Sequence, residues 1–158
     1  MSRKVYEAYE YLDPDNEYTY PNTSVLINKF DIKANEEAYE KEYSLARLRG
    51  LDLVLEPISV KKLDDVLKIH GFLFGDMYAW AGQLRKVNIS KEGNAFMALQ
   101  AFDTGTKYIN SLINNFYDRA NSRQAIAKAL AEILDNLNYM HPFREGNGRT
   151  QREVVRCL

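Results

Sequence analysis

The residues best able to do chemistry lie in one stretch, residues 141–152, which reads His-Pro-Phe-Arg-Glu-Gly-Asn-Gly-Arg-Thr-Gln-Arg. An imidazole such as that of His141 is largely neutral near pH 7 and can accept a proton from a reacting hydroxyl. The carboxylate of Glu145 is a hard oxygen ligand of the kind that Mg²⁺ binds together with phosphate oxygens. Arg149 and Arg152 carry guanidinium groups suited to phosphate, and a helix would place both on one face.

A Gly-Asn-Gly turn, formed by Gly146, Asn147 and Gly148, connects these groups. Glycine lets the backbone approach a ligand closely, and the first N–H groups of a following helix have no partner within that helix. The helix dipole also favours negative charge at this end. The residues therefore predict a site for a polyphosphate and a metal ion, with a histidine at its mouth.

Each of these residues also has a purely structural interpretation. His141 could cap the C-terminus of a helix, and Glu145 could stabilise the dipole of the next helix. Arg149 and Arg152 could form a solvated helix face. That last interpretation accounts for two arginines but not for their position directly behind a glycine turn.

A long helix is expected to hold the histidine in place. Apolar residues recur at helical spacing up to residue 140, and Pro142 then disfavours helix at the residue before it. His141 should therefore lie at the end of a central helix, and a new helix should begin near Arg149. The apolar residues of the predicted stripe are Ile126, Leu130, Ile133, Leu134, Leu137 and Met140.

Four further helices are predicted from capping residues and apolar spacing. The second is expected to end at Gly50, and the third contains His70, which we interpret as packed or solvated and not catalytic. Residues 1–34 form an N-terminal arm that contains the first of these helices and several tyrosines, and the arm is expected to pack against the domain. The predicted helices are Thr23–Lys29, Glu36–Arg49, a segment after Ser59 up to Phe74, and Leu99–Tyr117.

The pattern of apolar and polar residues changes at residues 83–97, where it predicts a β-hairpin. Apolar and polar residues alternate from Gln83, and Glu92-Gly93-Asn94 forms a turn signal. A lone hairpin is only marginally stable in water, so this one must lean on the helices. Lys91 and Asn94 are candidate contacts to a target or a nucleotide.

Bulk properties fit one domain of 158 residues with a net charge of −1. That charge provides no broad basic field, so neither nucleic acid nor a membrane is an expected partner. The chain has a single cysteine, Cys157, no signal-peptide pattern and no apolar run approaching about 18 residues. We therefore expect a cytoplasmic protein. No Gly-x-x-x-x-Gly-Lys-Ser/Thr segment occurs, which excludes a P-loop site.

Residues 141–152, hereafter the signature segment, resemble the signature of the Fic family, His-x-Phe-x-Asp/Glu-Gly-Asn-Gly-Arg-x-x-Arg, at every defined position. Two looser similarities to the family are the Tyr-Pro-Asn-Thr segment from residue 20 and residues 74–82. The resemblance implies a single Fic domain over residues 1–158. Its fold would be all-α, a helical bundle with the 83–97 hairpin as a flap near the active-site loop.

The resemblance also implies a protein adenylyltransferase. His141 would be the general base that activates a Ser, Thr or Tyr hydroxyl of a target protein for attack on the α-phosphate of ATP. Phe143 would plug the loop into the core, and Glu145 would hold Mg²⁺. The flap would pair with an extended segment of the target. The phosphates would be bound by Gly146, Asn147 and Gly148, with the Asn147 amide as an extra donor, and by Arg149 and Arg152.

Other activities on the same scaffold stay open. Kinase-like relatives replace the second glycine of the loop with lysine, so the intact Gly148 favours transfer of AMP. Transfer of another phosphate-bearing group, such as phosphocholine, and a catalytically silent nucleotide-binding module are the alternatives.

Many Fic proteins carry an inhibitory helix, Ser/Thr-x-x-x-Glu-Gly/Asn, whose glutamate pairs with the second signature arginine, here Arg152. No such pattern occurs in this chain. The helix is expected either on a separate small antitoxin or beyond Leu158, where the last helix has no stop signal and the chain is expected to be truncated. The bacterial toxin–antitoxin branch that the chain resembles modifies type II topoisomerases, but these residues do not identify a target or an oligomeric state.

Overall fold

A computed structural model describes the backbone of residues 10–12 and the backbone and side chains of residues 17–158. Five α-helices and a short 3-10 turn are present among these residues, together with three short strands. The helices are α1 (Asn35–Leu55), α2 (Leu63–Phe74), α3 (Phe102–Arg119), α4 (Arg123–Met140) and α5 (Asn147–Cys157), and the 3-10 turn is Leu99–Ala101. The strands are β1 (Glu10–Leu12), β2 (Asn88–Lys91) and β3 (Asn94–Ala95).

The predicted helical fold with a small hairpin is confirmed. Strands β2 and β3 pair antiparallel within the predicted flap, with Ser90 opposite Ala95. Strand β1 was not predicted. It pairs antiparallel with the other edge of β2, with Tyr11 opposite Ile89, so β2 is the middle strand of the sheet. The other tyrosines predicted to form a packing arm before residue 17 lie outside the described residues.

The apolar stripe of α4 is buried only in its C-terminal half, where Leu134 is the exception. Ile133, Leu137 and Met140 are fully buried, whereas Ile126 and Leu134 are 39% and 38% exposed. Helix α4 packs against both α3 and α5. The buried half adjoins residue 141, so the core fixes the end of α4 that leads into the signature segment.

The predicted helix Thr23–Lys29 is wrong, because local side chains give the backbone other partners. The hydroxyl of Thr23 donates to the carbonyl of Tyr20 at 3.0 Å and accepts from the N–H of Val25 at 3.2 Å. The amide nitrogen of Asn28 donates to the carbonyl of Ile32 at 2.8 Å. Short polar side chains that bond the nearby backbone favour turns over helix.

Two helix boundaries also differ from the prediction. Helix α1 passes through Gly50 and ends at Leu55, because Leu53 is fully buried in the core. Burying a leucine gives roughly 1.5–3 kcal/mol, which exceeds the cost of about 1 kcal/mol for a glycine within a helix. Helix α2 begins at Leu63 rather than after Ser59.

The start of α2 is set by Asp65. Its carboxylate accepts the N–H groups of Lys61 and Lys62, at 2.9 and 3.2 Å. This carboxylate therefore takes the capping role that the sequence assigned to Ser59.

Within the described part of the chain, no helix has the length and apolar character needed to cross a bilayer.

Candidate active site

His141 lies immediately after α4, as predicted from Pro142. Its backbone is left-handed, with φ of 47°, and its N–H still bonds the carbonyl of Leu137 at 2.9 Å. This conformation turns the chain out of the helix and into the signature segment. The His141 side chain is only 4% exposed.

The imidazole of His141 is held in one orientation and one tautomer. Its Nδ1 lies 3.1 Å from the carbonyl oxygen of Asn138. A carbonyl only accepts hydrogen bonds, so Nδ1 carries the proton and the lone pair lies on Nε2. The ring stacks on Phe96 of the flap, with centroids 3.8 Å apart. Burial lowers the pKa of His141 to about 4, and this outweighs the hydrogen bond to Asn138.

The turn after His141 is built around Asn147. Its side-chain oxygen accepts the N–H of Phe143 at 2.9 Å, and its amide nitrogen donates to the carbonyl of Phe143 at 2.7 Å. Both residues are buried. The side chain of Asn147 therefore shapes the loop, and its role as an extra donor for phosphate stays a prediction.

Gly146 is required by both its backbone and its surroundings. Its φ is 80°, and a Cβ there would lie 2.5 Å from a ring carbon of Phe74. Its N–H donates to the carboxylate of Glu145 at 3.0 Å. Helix α5 begins at Asn147, slightly earlier than expected, and Gly148 is exposed on its first turn.

Glu145 is half-buried beside a second carboxylate. Burial raises its pKa, and the charge of Glu42 on α1 raises it further, while Arg149 opposes both effects. Among residues 17–158 no cluster of three or more His, Cys, Asp or Glu side chains is placed to hold a metal ion. Glu145 therefore has one neighbouring carboxylate, Glu42, which accepts hydrogen bonds from Arg149 and Tyr78.

The two arginines of the signature segment have different surroundings. Arg149 donates to the carboxylate of Glu42, which is buried and also accepts from the hydroxyl of Tyr78. Its guanidinium lies over the ring of Phe74, 4.6 Å from the centroid. Arg152 is exposed, and no other described residue forms a hydrogen bond or ion pair with it. One arginine is thus anchored to the core and the other projects outward.

His70 packs against the signature segment, so of the two non-catalytic interpretations, packed and solvated, the structure shows the packed one. It is 0% exposed, and its ring stacks on Phe143 with centroids 3.8 Å apart. Its Nε2 lies 2.9 Å from the carbonyl of Glu145, and its Nδ1 accepts the N–H of Gly82 at 2.8 Å. His70 therefore joins the signature segment to the chain that leads into the flap.

The flap residues proposed as contacts are placed unequally. Lys91 is half-buried, and its positive charge contributes to the lowered pKa of His141 after burial and Arg85. Asn94 is exposed, and its amide donates to the carbonyl of Glu92 at 3.3 Å within the turn. Of the two, Lys91 is the one whose charge acts on His141.

Three residues that the sequence did not single out for a role in the site contact it. Glu42 holds Arg149, His70 holds Glu145, and Arg85 donates to the carbonyl of His141 at 2.7 Å. No local pattern marks Glu42 or Arg85, because their partners are distant in sequence. A buried glutamate in the middle of α1 becomes recognisable only once the helices are packed.

Comparison with known proteins finds one matching family and relatives of similar sequence. Residues 58–158 match the sequence profile of the Fic/DOC family. The chain is 34% identical to the protein adenylyltransferase VbhT of Bartonella schoenbuchensis over 148 residues, which is 92% of this chain but 31% of VbhT. It is 31% identical to the probable protein adenylyltransferase y4lH of Sinorhizobium fredii, covering 88% of this chain and 72% of y4lH.

A solved structure has the same fold. The N-terminal Fic domain of a Bartonella quintana cell filamentation protein, with bound ADP, has a TM-score of 0.76 at 28% identity. The match covers 87% of this chain and 72% of that chain. The chain spans about a third of the length of VbhT, so it corresponds to only part of that relative.

Proposed function

Because the chain belongs to the Fic/DOC family, we propose that it is a protein adenylyltransferase, which moves AMP from ATP to a Ser, Thr or Tyr hydroxyl of a target protein. Relatives that carry this name and a similar domain that binds ADP support the proposal. The observation that carries it is the imidazole of His141, which is neutral with its lone pair on Nε2 and lies at the start of the loop leading into α5.

In the proposed reaction, the oxygen of the target hydroxyl attacks the α-phosphorus of ATP while Nε2 of His141 takes the hydroxyl proton. The bond between the α-phosphorus and the oxygen bridging to the β-phosphate breaks, and pyrophosphate leaves. The target then carries AMP through a phosphodiester. The lowered pKa of His141 keeps the base in its proton-accepting form across the neutral range.

The phosphates are assigned to the N-terminus of α5. N–H groups in the first turn of a helix lack partners within the helix, and the dipole attracts anions there. Gly146 supplies the turn, while Asn147 and Gly148 offer main-chain N–H groups. Arg149 and Arg152 would hold the β- and γ-phosphates and stabilise charge on the departing pyrophosphate.

Glu145 is the residue we assign to Mg²⁺. Mg²⁺ is commonly bound by one or two carboxylates together with phosphate oxygens and water, which fits the carboxylate of Glu145 beside the proposed phosphate site. A bound cation would supply charge neutralisation on the phosphates. Glu145 would accept that cation in its ionised form, against the burial that raises its pKa in the protein alone.

The flap is assigned to target binding by strand addition. In the described sheet, β2 has β3 on one edge and β1 on the other. A target segment that added to β2 would have to displace β1, whereas the outer edge of β3 remains available. Removal of residues 1–12 is therefore expected to change the efficiency of target modification if β2 is the docking edge.

The proposed regulation and partners rest on the resemblance to the Fic family. The exposed Arg152 is suited to receive a glutamate from an inhibitory helix, and we assign that helix to a separate antitoxin. A bacterial type II topoisomerase in the cytoplasm is the proposed target. Incubation of purified topoisomerase with this chain and labelled ATP tests that assignment apart from the activity itself.

Labelled ATP distinguishes the reactions open to this scaffold. The chain is incubated with α-labelled or γ-labelled ATP and bacterial lysate, beside a His141→Ala variant. Label transferred from the α position only, and lost in the variant, is the expected result. Transfer from the γ position only would identify a kinase, and binding of ATP without any transfer would identify a silent module.

A further inference from the structure

Arg85 is a buried guanidinium whose partners are all carbonyl oxygens. It lies before β2 and is 3% exposed. Its main-chain N–H donates to the carbonyl of Pro142 at 2.8 Å. Its side chain donates to the carbonyls of His141 (2.7 Å), Val87 (2.6 Å), Met97 (2.5 Å) and Met140 (3.2 Å).

These carbonyls belong to two different parts of the molecule. Val87 and Met97 lie at the two ends of the flap strands, before β2 and after β3. Met140, His141 and Pro142 form the end of α4 and the beginning of the signature segment. One side chain therefore ties both ends of the flap to the backbone that carries the proposed base.

The position suits a positive charge without a carboxylate partner. The last carbonyls of a helix lack hydrogen bonds within it, and the dipole places negative charge there. Burial lowers the pKa of Arg85 to about 10, which still leaves it charged at neutral pH. Its guanidinium also lies over the ring of Phe102, 4.7 Å from the centroid.

The planar guanidinium of Arg85 is essential to this set of hydrogen bonds. An arginine presents five N–H donors in a fixed plane, whereas the three donors of lysine share one nitrogen. A lysine could keep the charge and reach one or two carbonyls, but it could not span the flap and the end of α4 together. The lysine variant therefore separates geometry from charge.

We propose that Arg85 is a positioning residue for adenylyl transfer, which fixes the backbone of His141 relative to the flap that presents the target hydroxyl. This inference rests on the proposed function. Arg85 itself contacts neither the first turn of α5 nor Arg152 in the described structure, so it should act on transfer and not on the binding of ATP.

The first test compares Arg85→Lys with Arg47→Lys. Arg47 is exposed on α1, and no hydrogen bond or ion pair to another described residue is seen, so it is a matched control. For Arg85→Lys, the rate of AMP transfer at saturating ATP should fall about 10- to 100-fold, as expected for a small displacement of reacting groups. The Kd for ATP, measured by calorimetry, should change less than about two-fold, because the phosphate site is untouched.

A role limited to fold stability would give a different result. The active fraction would fall, so transfer and the number of ATP sites would decrease together, and this would overturn the proposal. An unchanged rate would overturn it as well. Should the lysine variant fail to fold, Phe102→Leu removes the ring that supports the guanidinium of Arg85 but none of its carbonyl partners, and should lower the rate more modestly with the same unchanged Kd.

A second readout does not depend on activity. The chain contains two histidines, so ring ¹⁵N NMR gives two sets of signals, which a His141→Ala variant assigns. Arg85→Lys should shift the signals of His141 and leave those of His70 in place. If the wild-type chain transfers no AMP, the proposed function fails; if the His141 signals do not move in the lysine variant, the inference on Arg85 fails by itself.

Discussion

The two histidines of this chain have similar environments and different bonding. Each is buried, each stacks on an aromatic ring with centroids 3.8 Å apart, and burial lowers the pKa of each to about 4. The hydrogen bonds of the ring nitrogens differ between the two. His70 bonds the carbonyl of Glu145 through Nε2 and accepts the N–H of Gly82 at Nδ1, whereas His141 bonds the Asn138 carbonyl through Nδ1, which places its lone pair on Nε2.

The difference shows that neither burial nor a shifted pKa identifies a catalytic histidine here. The hydrogen-bond partners decide the tautomer, and the tautomer decides whether the lone pair supports the fold or can take a proton. His70 is a connector between loops, and His141 is the candidate base. Substitutions at the two positions should therefore separate stability from turnover.

The largest effect is expected from His141→Ala. Loss of a general base typically lowers a rate about 10²- to 10⁴-fold, and transfer of α-label to a target should fall by that amount. Binding of ATP should be retained, because the first turn of α5 does not depend on this ring. The matched variant His70→Gln should keep a much larger share of the activity of its folded fraction.

His70→Ala should mainly reduce stability. It leaves the buried carbonyl of Glu145 and the N–H of Gly82 without their partner, and each unsatisfied group costs about 1–3 kcal/mol. The free energy of unfolding, measured with urea, should therefore fall by about 2–6 kcal/mol for the two groups together. A larger loss of stability in His141→Ala than in His70→Ala would break the proposed division of roles.

Acid should destabilise the protein through both histidines alike. Their pKa values fall from 6.5 in the unfolded chain to about 4 in the folded chain. Below pH 6.5 the unfolded state therefore binds more protons, so the free energy of unfolding decreases as the pH falls to about 4 and levels off below it. The full loss is on the order of 3 kcal/mol per histidine, measurable by urea unfolding across this pH range.

The control for the acid effect is His70→Gln, which removes one titrating group. The decrease between pH 6.5 and 4 that histidines cause should then be about half as large. An equal decrease in the wild type and in variants that lack either histidine would assign the effect to carboxylates instead.

The two arginines of the signature segment should also separate stability from function, with smaller effects than the histidines. Arg152→Ala should weaken ATP binding about ten-fold with little change in stability, since a hydrogen bond to a charged group is worth about 1.5–3 kcal/mol. Arg149→Ala should also reduce stability, because Glu42 would be left as a buried charge without its arginine. Calorimetry and urea unfolding of both variants test this contrast; equal losses of stability would contradict it.

The local sequence was sufficient to predict the end of α4 and the glycine turn. Pro142 and Gly146 act on their immediate neighbours, so their effects can be predicted without the fold. The polar turn at Thr23 was also local, but its side-chain bonds competed successfully with helix formation. A capping pattern alone does not reveal that competition.

The supporting contacts of the site could not be predicted in the same way. Glu42 meets Arg149 across 107 positions, His70 meets Glu145 across 75, and Arg85 meets His141 across 56. Such pairs leave no spacing pattern in one sequence, since they depend on how α1, α2 and the flap pack around the loop. The chemical groups were therefore predictable, and the residues that orient them were not.

Ring ¹⁵N NMR at pH 7 tests the role of His141 most directly, because it reports the proton on each imidazole nitrogen. The two histidines should be opposite neutral tautomers, with His141 protonated on Nδ1 and His70 protonated on Nε2. A His141 ring protonated on Nε2, or on both nitrogens, would leave no lone pair for the target hydroxyl and would contradict its assignment as the base.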